Sequence, residues 1–364
     1  MNIFSFLLDN FLPVIATLLF AIVVCLLILI TTKWHGRFSF DQLEGVQKLH
    51  VNPTPRIGGL AIMSALGVGV LLLEGESRIL LRTLFILGFI VFSFGFTEDL
   101  TKKVSVALRL WASFMPAILG YFLLGITLRG IGFAPVDYLL QFNPVAIVFT
   151  AFAVGGVTHA INIVDGLNGL CAWVSIWALV AILSIAIQVN DQSMALVCVV
   201  TIGAILGFLV FNWPLGKIFL GDGGSYLLGL FVAWASVLLA TRNPEISPFT
   251  FLLICIYPVT EVLYSIYRRK RSRQATGLPD QLHLHQLFAM GFIYPNINSL
   301  SNTSKNSLSG FLMSLMMIVP AISAVIFYNQ KTFLLLAIGL FVLVYLLMYW
   351  WSFYRCHSKL RVNR

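Results

Sequence analysis

A short polar turn interrupts an apolar stretch of the sequence at Asn162, Asp165 and Asn168. These residues recur at every third position, so on one helical turn their side chains share a face. Their oxygen atoms suit a hard cation such as Mg²⁺, and Gly166 and Gly169 allow a ligand to approach the backbone closely. A simple reverse turn is the alternative interpretation, but the pattern favours a ligand site.

A glycine-rich motif that runs from Phe219 to Ser225 directly precedes another long apolar run. The helix predicted for that run offers free N–H groups and the positive end of its dipole to an anion. Asp222 could therefore cap the helix or bind a metal. Because the first motif lies on the same predicted side of the fold, we favour the metal-binding interpretation.

A basic cluster of Lys48, His50 and Arg56 surrounds two prolines. The prolines exclude helix and predict an extended turn before the next apolar run. Guanidinium and ammonium groups in such a turn suit a phosphate or pyrophosphate. A plain basic anchor at a membrane surface is the alternative interpretation.

Two adjacent acidic residues, Glu98 and Asp99, end a further apolar run, and Lys102 and Lys103 follow them. Carboxyl groups at the end of an apolar helix are costly near lipid unless they have partners. They could bind a divalent metal, hold a proton or form local ion pairs. The two lysines could bind phosphate oxygens.

The polar segment 267–307 contains the basic run Arg268 to Arg271 and, further on, His283 and His285. The basic run predicts a membrane-surface anchor. The histidines are two residues apart, which is not the spacing of a zinc-binding helix, and they favour phosphate or sugar binding. For Glu261, just before this segment, we expect an ion pair with the neighbouring arginines.

Composition predicts the elements that must position these motifs. Of the 364 residues, 59% are hydrophobic and only 10% are charged, whereas a soluble domain has about 25% charged residues. Apolar runs near the roughly 20 residues of a spanning helix occur about eleven times. We therefore predict an all-α, polytopic transmembrane helix bundle that forms one domain, 1–364, with 267–307 as a long cytoplasmic loop. The runs lie at about 11–31, 57–73, 79–97, 106–128, 144–162, 169–188, 195–212, 223–240, 248–266, 308–328 and 332–353.

The distribution of basic residues predicts the orientation of the chain. With the N-terminus outside and the C-terminus cytoplasmic, 18 of the 23 lysines and arginines lie on the cytoplasmic side, together with the motifs above. The net charge of +9 therefore reflects membrane orientation and does not predict a nucleic-acid partner. Polar groups on one face favour a site where a soluble substrate meets the inner leaflet. They disfavour a transporter, which needs polar groups at the bilayer midplane.

In their order from Lys48 to Phe288, these motifs resemble those of the polyprenyl-phosphate N-acetylhexosamine-1-phosphate transferases of glycosyltransferase family 4. The resemblance implies transfer of a sugar phosphate from a UDP-N-acetyl sugar to undecaprenyl phosphate, with Mg²⁺ or Mn²⁺ and release of UMP. It also implies a multi-pass protein of the bacterial inner membrane with a cytoplasmic active site. Such a protein would initiate a surface polysaccharide such as O-antigen or capsule, and it could form a homodimer.

The resemblance implies a role for each motif. The metal ligands would be Asp222 and Asn162. The catalytic carboxyl groups are Asp99, Glu98 and Asp165, of which Asp99 would take a proton from the lipid phosphate and Asp165 would lie near the uridine. The residues that bind the nucleotide are Asn168, Asn212 and Phe219. The residues that bind phosphate are Lys48, Arg56, Lys102 and Lys103, and those that bind the sugar are His283 and His285.

The chain departs from the family pattern where the sugar should be recognised. Gln286 replaces a third histidine, and the segment 274–277 replaces an arginine-rich run, while Glu98 replaces an aspartate. The sugar therefore stays open among N-acetylglucosamine, N-acetylgalactosamine, N-acetylfucosamine and N-acetylquinovosamine, and the reaction could have one step or two. The alternative functions are a transporter or flippase for a lipid-linked sugar and a membrane glycosyltransferase that releases UDP.

Overall fold

The computed structural model describes residues 6, 10–41, 53–273, 280 and 282–362. These residues form helices and connecting loops without any β-strand, and one isolated bridge joins Phe40 to Pro55. The prediction of an all-α transmembrane bundle is confirmed.

The α-helices of the described residues are, in order, α1 (Phe11–Ile30), α2 (Thr32–Ser39), α3 (Gly59–Leu72), α4 (Gly75–Thr101), α5 (Val106–Leu124), α6 (Ala134–Leu139), α7 (Asn143–Ile163), α8 (Leu170–Gln188), α9 (Gln192–Asn212), α10 (Gly221–Arg242), α11 (Pro248–Ile254), α12 (Ile256–Arg271), α13 (Leu284–Phe288), α14 (Asn302–Ser314), α15 (Ile318–Phe327) and α16 (Lys331–Val362). A π-helical turn, Ala289–Ile293, follows α13, and a 3₁₀ turn, Leu315–Met317, joins α14 to α15.

Within the described residues, nine helical segments are long and apolar enough to cross a membrane, with α14 and α15 counted together. The pair α11 and α12 forms a tenth candidate span, bent by 75°. Pro258 lacks the N–H that would bond the carbonyl of Ile254, which accounts for the break. The predicted run 57–73 forms only α3, whose 14 residues span about 21 Å, less than the roughly 30 Å of a hydrocarbon core. The orientation of the termini and the single-domain organisation stay predictions.

Helix α10 runs through the middle of the bundle, where it packs against α3, α4, α7 and α8. Of its most apolar window, 94% is buried inside the protein. A charged side chain at the start of this helix must therefore find its partners in the protein, because neither lipid nor bulk water surrounds it.

Glycines allow three helices to meet closely at the N-terminus of α10. A Cβ atom on Gly59 of α3 would lie 2.4 Å from the backbone of Gly224, and one on Gly95 of α4 would lie 2.6 Å from the backbone of Asp222. Gly221 has a φ of +78°, in the left-handed region that favours glycine. The glycine-rich motif therefore serves close packing, which brings the ends of α3, α4 and α10 together.

Candidate active site

The carboxyl group of Asp99, at the end of α4, binds the N-terminus of α10. Its Oδ1 accepts a hydrogen bond from the Asp222 N–H at 2.9 Å, and its Oδ2 accepts one from the Gly223 N–H at 2.9 Å. The Asp99 residue is only 1% exposed. The first N–H groups of a helix have no partner within the helix, and a carboxylate satisfies them well. The acidic motif and the glycine-rich motif thus form one structural unit.

Two arginines hold the carboxylate of Asp222. Arg56 bonds to its Oδ1 and Arg109 bonds to its Oδ2, while the Nε of Arg56 lies 3.3 Å from Asp99 Oδ1. We call Arg56, Asp99, Arg109 and Asp222 the charge cluster. Arg109 was not among the predicted site residues. Its signal in the sequence was a lone charge at the start of an apolar run, which is costly without a partner.

The extended segment before α3 positions Arg56. The Phe219 N–H donates to the Pro55 carbonyl at 2.8 Å, and the Gly58 N–H donates to the Phe219 carbonyl at 2.9 Å. This pairing matches the extended turn that the prolines predict. Burial opposes the charge of the Arg56 guanidinium, but the surrounding carboxylates, with Asp222 the strongest, raise its pKa above the usual value. Arg56 therefore stays a cation in the cluster.

Asn162 and Asp165 lie beside the charge cluster. The Asn162 Nδ2 donates to the Ser225 Oγ at 2.7 Å, and the Ser225 Oγ donates to the Gly221 carbonyl at 3.0 Å. Asp165 follows the end of α7, and burial raises its pKa to about 7, against the effect of the nearby Arg56. A carboxyl group with such a pKa can gain or lose a proton near neutral pH.

The donor set of Asp222 and Asn162 fits a hard cation. Mg²⁺ is usually held by one or two carboxylates together with waters and substrate phosphates. Across the described ranges, no group of three or more His, Cys, Asp or Glu side chains could hold a metal. A cation here would therefore be bound jointly by the protein and by a phosphorylated substrate. Asp222 would release one of its two arginines to bind the cation.

The other residues expected at the phosphates are spread more widely. The Glu98 Oε2 accepts a hydrogen bond from the Val104 N–H at 2.7 Å, so this carboxyl group holds the loop after α4. Lys102 ends α4 with a left-handed backbone, φ 56°, and both Lys102 and Lys103 are exposed. Lys48 lies outside the described residues.

A cavity of about 430 Å³ adjoins the segment that carries Arg56. Among the residues that line it are Asn168, Phe219, Lys217 and Thr303. It contains an aromatic ring, amide groups and a cation, which are the groups that a nucleotide site needs. Lys217 and Thr303 were not predicted, because neither belongs to a recognisable motif.

Asn212 supports the walls of this cavity and does not line it. Its Oδ1 accepts a hydrogen bond from the Gly169 N–H at 2.7 Å, and its Nδ2 donates to the Ile218 carbonyl at 2.8 Å. Both halves of its amide are therefore engaged in joining the turn after α7 to the loop before α10.

The two predicted sugar-binding histidines stack on each other, with ring centroids 5.6 Å apart and planes inclined by 4°. A Cβ atom on Gly166 would lie 2.4 Å from the His285 Nε2, so this ring packs directly on the turn that contains Asp165. Burial lowers the pKa of His285 to about 4, and the ring is therefore neutral at physiological pH. The structure thus joins the histidine motif to the polar turn after α7.

Glu261 interacts with the histidine motif, and the expected ion pair between Glu261 and the neighbouring arginines was wrong. Its Oε1 lies 3.0 Å from the His283 Nδ1 and accepts a hydrogen bond from the Leu284 N–H at 3.2 Å. Arg268 bonds instead to Asp280. Both contacts fix the start of α13. The segment 274–277, which differs from the family pattern, lies outside the described residues.

Comparison with known proteins yields one family. The family model described as "Glycosyl transferase family 4" matches residues 81–240. The chain is 29% identical over 253 residues to the probable undecaprenyl-phosphate N-acetylglucosaminyl 1-phosphate transferase of Bacillus subtilis (strain 168), and the aligned region covers 67% of this chain and 68% of the relative. It is 28% identical over 246 residues to the undecaprenyl-phosphate alpha-N-acetylglucosaminyl 1-phosphate transferase of Yersinia pestis, covering 66% and 67%. It is 30% identical over 288 residues to the decaprenyl-phosphate N-acetylglucosaminephosphotransferase of Mycobacterium leprae (strain TN), covering 67% and 70%.

Proposed function

Since the chain belongs to glycosyl transferase family 4, we propose that it transfers an N-acetylhexosamine 1-phosphate from a UDP-sugar to undecaprenyl phosphate and releases UMP. The relatives named above support a polyprenyl-phosphate sugar-1-phosphate transferase. The observation that carries the proposal is the charge cluster, which lies at the end of a buried helix in a membrane bundle and beside a cavity of about 430 Å³.

Phosphoryl transfer between two anions requires positioning and charge neutralisation more than covalent help. Arg56 would neutralise the pyrophosphate of the donor, with Lys48, Lys102 and Lys103 at the approach of the phosphates. Mg²⁺ or Mn²⁺, bound by Asp222 and Asn162, would add positive charge at the pyrophosphate.

The three carboxyl groups of the site would have different roles. Both oxygens of Asp99 already accept hydrogen bonds from α10, so we assign it a positioning role in place of the proton transfer that the resemblance implies. Asp165, whose pKa is raised to about 7 by burial, would exchange a proton with a phosphate near neutral pH. Glu98 would hold the loop after α4.

The cavity would hold the nucleotide of the donor. Phe219 and Asn168 would contact the uridine, and Asn212 would hold the two walls of the cavity together. His283 and His285 would lie at the sugar, because they pack on the turn that contains Asp165. We place this site on the cytoplasmic face of a bacterial inner membrane, in a protein that initiates O-antigen, capsule or a related glycan and can form a homodimer.

A double-label assay tests this function. The purified protein, in detergent with undecaprenyl phosphate and Mg²⁺, receives a UDP-N-acetyl sugar labelled separately in the sugar and in the β-phosphate. We expect both labels in the lipid, free UMP, and loss of transfer with EDTA or with Asp222→Asn. Glu76→Gln, at the opposite end of the bundle, should transfer as the wild type does.

The same assay separates the alternatives. A glycosyltransferase that releases UDP would move the sugar label alone. A transporter or flippase would move neither label, and folded protein that is inactive with all four candidate N-acetyl sugars would overturn the proposed function.

A further inference from the structure

Two buried polar atoms near Asp222 have no hydrogen-bond partner within the part of the chain that the structure describes. They are the Nε of Arg109 and the Nε2 of His159. Buried polar groups almost always have partners, because an unpaired one is destabilising. A ligand that satisfies both atoms would remove this cost.

The two atoms belong to side chains of two different helices, α5 and α7, that both reach α10. His159, on α7, packs its ring edge-on against Tyr226, with centroids 5.2 Å apart and planes inclined by 81°. Tyr226 follows Asp222 by one helical turn on α10, so their side chains lie on one face. Arg109 bonds to Asp222, and His159 interacts electrostatically with both of them. The imidazole therefore lies near both Arg109 and Asp222.

Neither Arg109 nor His159 is among the residues that line the nucleotide cavity. The cavity is lined by parts of α1, α2 and α14, by the loops before α3 and α10, and by Asn168 in the turn after α7, and none of its lining residues in the described structure comes from α5 or from α7 itself. Helix α5, which carries Arg109, presents Trp111 with 70% exposure, and α7 presents Phe152 with 67% exposure. Exposed apolar side chains of this kind face lipid in a membrane protein. The two helices that carry the pair therefore also border the bilayer.

We propose that Arg109 and His159 form the subsite for the phosphate of the lipid acceptor. This inference rests on the proposed function. Arg109 bonds Asp222 through one terminal nitrogen, which leaves its Nε to donate to a second anion. His159, as the tautomer with hydrogen on Nε2, donates to another oxygen of the same phosphate. The acceptor would then enter from the bilayer while the nucleotide occupies the cavity, and the two phosphates would meet at Asp222.

Steady-state kinetics with each substrate varied in turn test the subsite. His159→Phe keeps a flat ring against Tyr226 but removes both nitrogens, and we expect it to raise KM for undecaprenyl phosphate roughly tenfold. KM for the UDP-sugar should not change. His159→Gln keeps a donor near the position of Nε2 and should recover most of the loss. Lys217→Gln, in the cavity, is the matched control and should raise KM for the UDP-sugar alone.

A direct binding measurement decides the subsite independently of turnover. Wild type and variants in detergent are titrated with decaprenyl phosphate, and tryptophan fluorescence follows binding, with decaprenol as the ligand that lacks phosphate. Arg109→Gln and His159→Phe should each weaken binding of the phosphate about tenfold and leave decaprenol unaffected. If His159→Phe does not fold, Arg109→Gln alone still tests the subsite.

The outcomes separate the two proposals. Equal affinity of wild type and both variants for decaprenyl phosphate, or a changed KM for the UDP-sugar instead, would overturn the subsite. An inactive wild type that still binds decaprenyl phosphate through Arg109 and His159 would support the subsite and overturn the transferase function.

Discussion

The carboxylate of Asp99 accepts a hydrogen bond from the backbone N–H of Asp222, which lies 123 residues later in the chain. Its second oxygen accepts the next N–H of the same helix, at 2.9 Å. One side chain therefore connects the end of α4 to the start of α10 and orients the carboxylate of Asp222 toward Arg56 and Arg109. Asp99 acts through Asp222 in this arrangement.

Asp99→Asn is expected to lower kcat by about tenfold or more without changing the shape of its pH profile. Asparagine can accept only one of the two hydrogen bonds and leaves a buried N–H unsatisfied, which costs about 1–3 kcal/mol. The measurement is kcat between pH 6 and pH 9. If Asp99 were the group that takes a proton, the acidic limb of the profile would disappear in the variant, and the positioning role would be wrong.

Gly166→Ala is expected to raise KM for the UDP-sugar. The new Cβ atom would lie 2.4 Å from the His285 Nε2, so the histidine must move, and overpacking of this kind costs about 1–3 kcal/mol. Gly156→Ala on α7 is the matched control, because its Cβ atom would meet nothing within 4 Å. Unchanged kinetics in Gly166→Ala, with both proteins folded, would contradict the packing of the histidine motif on this turn.

Stability is expected to fall as the pH is lowered from about 6.5 to about 4, in part because of His285. Burial lowers the pKa of this residue from 6.5 to about 4 in the folded protein. The unfolded chain therefore binds a proton first, so the stability is complete above pH 6.5 and is lost as the pH falls through 4. The contribution amounts to roughly 3 kcal/mol at most.

Thermal unfolding of the protein in detergent, at pH 7.5 and pH 5, measures this effect. His285→Gln lacks the titrating group and should show a smaller difference between the two midpoints than the wild type. An equal difference in both proteins would show that His285 is not responsible.

Arg242→Gln is expected to lower stability and to leave both KM values unchanged. Arg242 ends α10 and bonds to Asp191 at 2.7 Å and to Glu76 at 2.7 Å, at the end of the helix opposite to the charge cluster. The loss leaves the buried Asp191 without its cation and costs about 1–3 kcal/mol.

Glu76→Gln provides the comparison for thermal unfolding, because the Glu76 side chain is 55% exposed. Exposed ion pairs contribute only about 0–1 kcal/mol. Equal destabilisation by the two changes would contradict the assignment of Asp191 as the buried partner that matters.

The sequence by itself determined the class of the fold and the family. The share of charged residues is too low for a soluble surface, and the lengths of the apolar runs match a bilayer, so the fold class rests on local composition. The family rests on the resemblance of the motifs, in their order from Lys48 to Phe288. The motifs predicted Asp99, Asp222 and His285 as candidate site residues, since polar groups in apolar surroundings are costly unless they have partners or a function.

Only the tertiary structure decided which of these groups meet. Arg109 and Asp222 are 113 residues apart, and Glu261 and His283 are 22 residues apart. No periodicity connects such pairs. Their contact depends on glycines that let α3 and α4 approach α10, on the break before Pro258, and on the extended segment that places Arg56. An ion pair requires two side chains to come within about 4 Å. The packing of the helices sets that distance, and the local sequence around either residue does not determine how the helices pack.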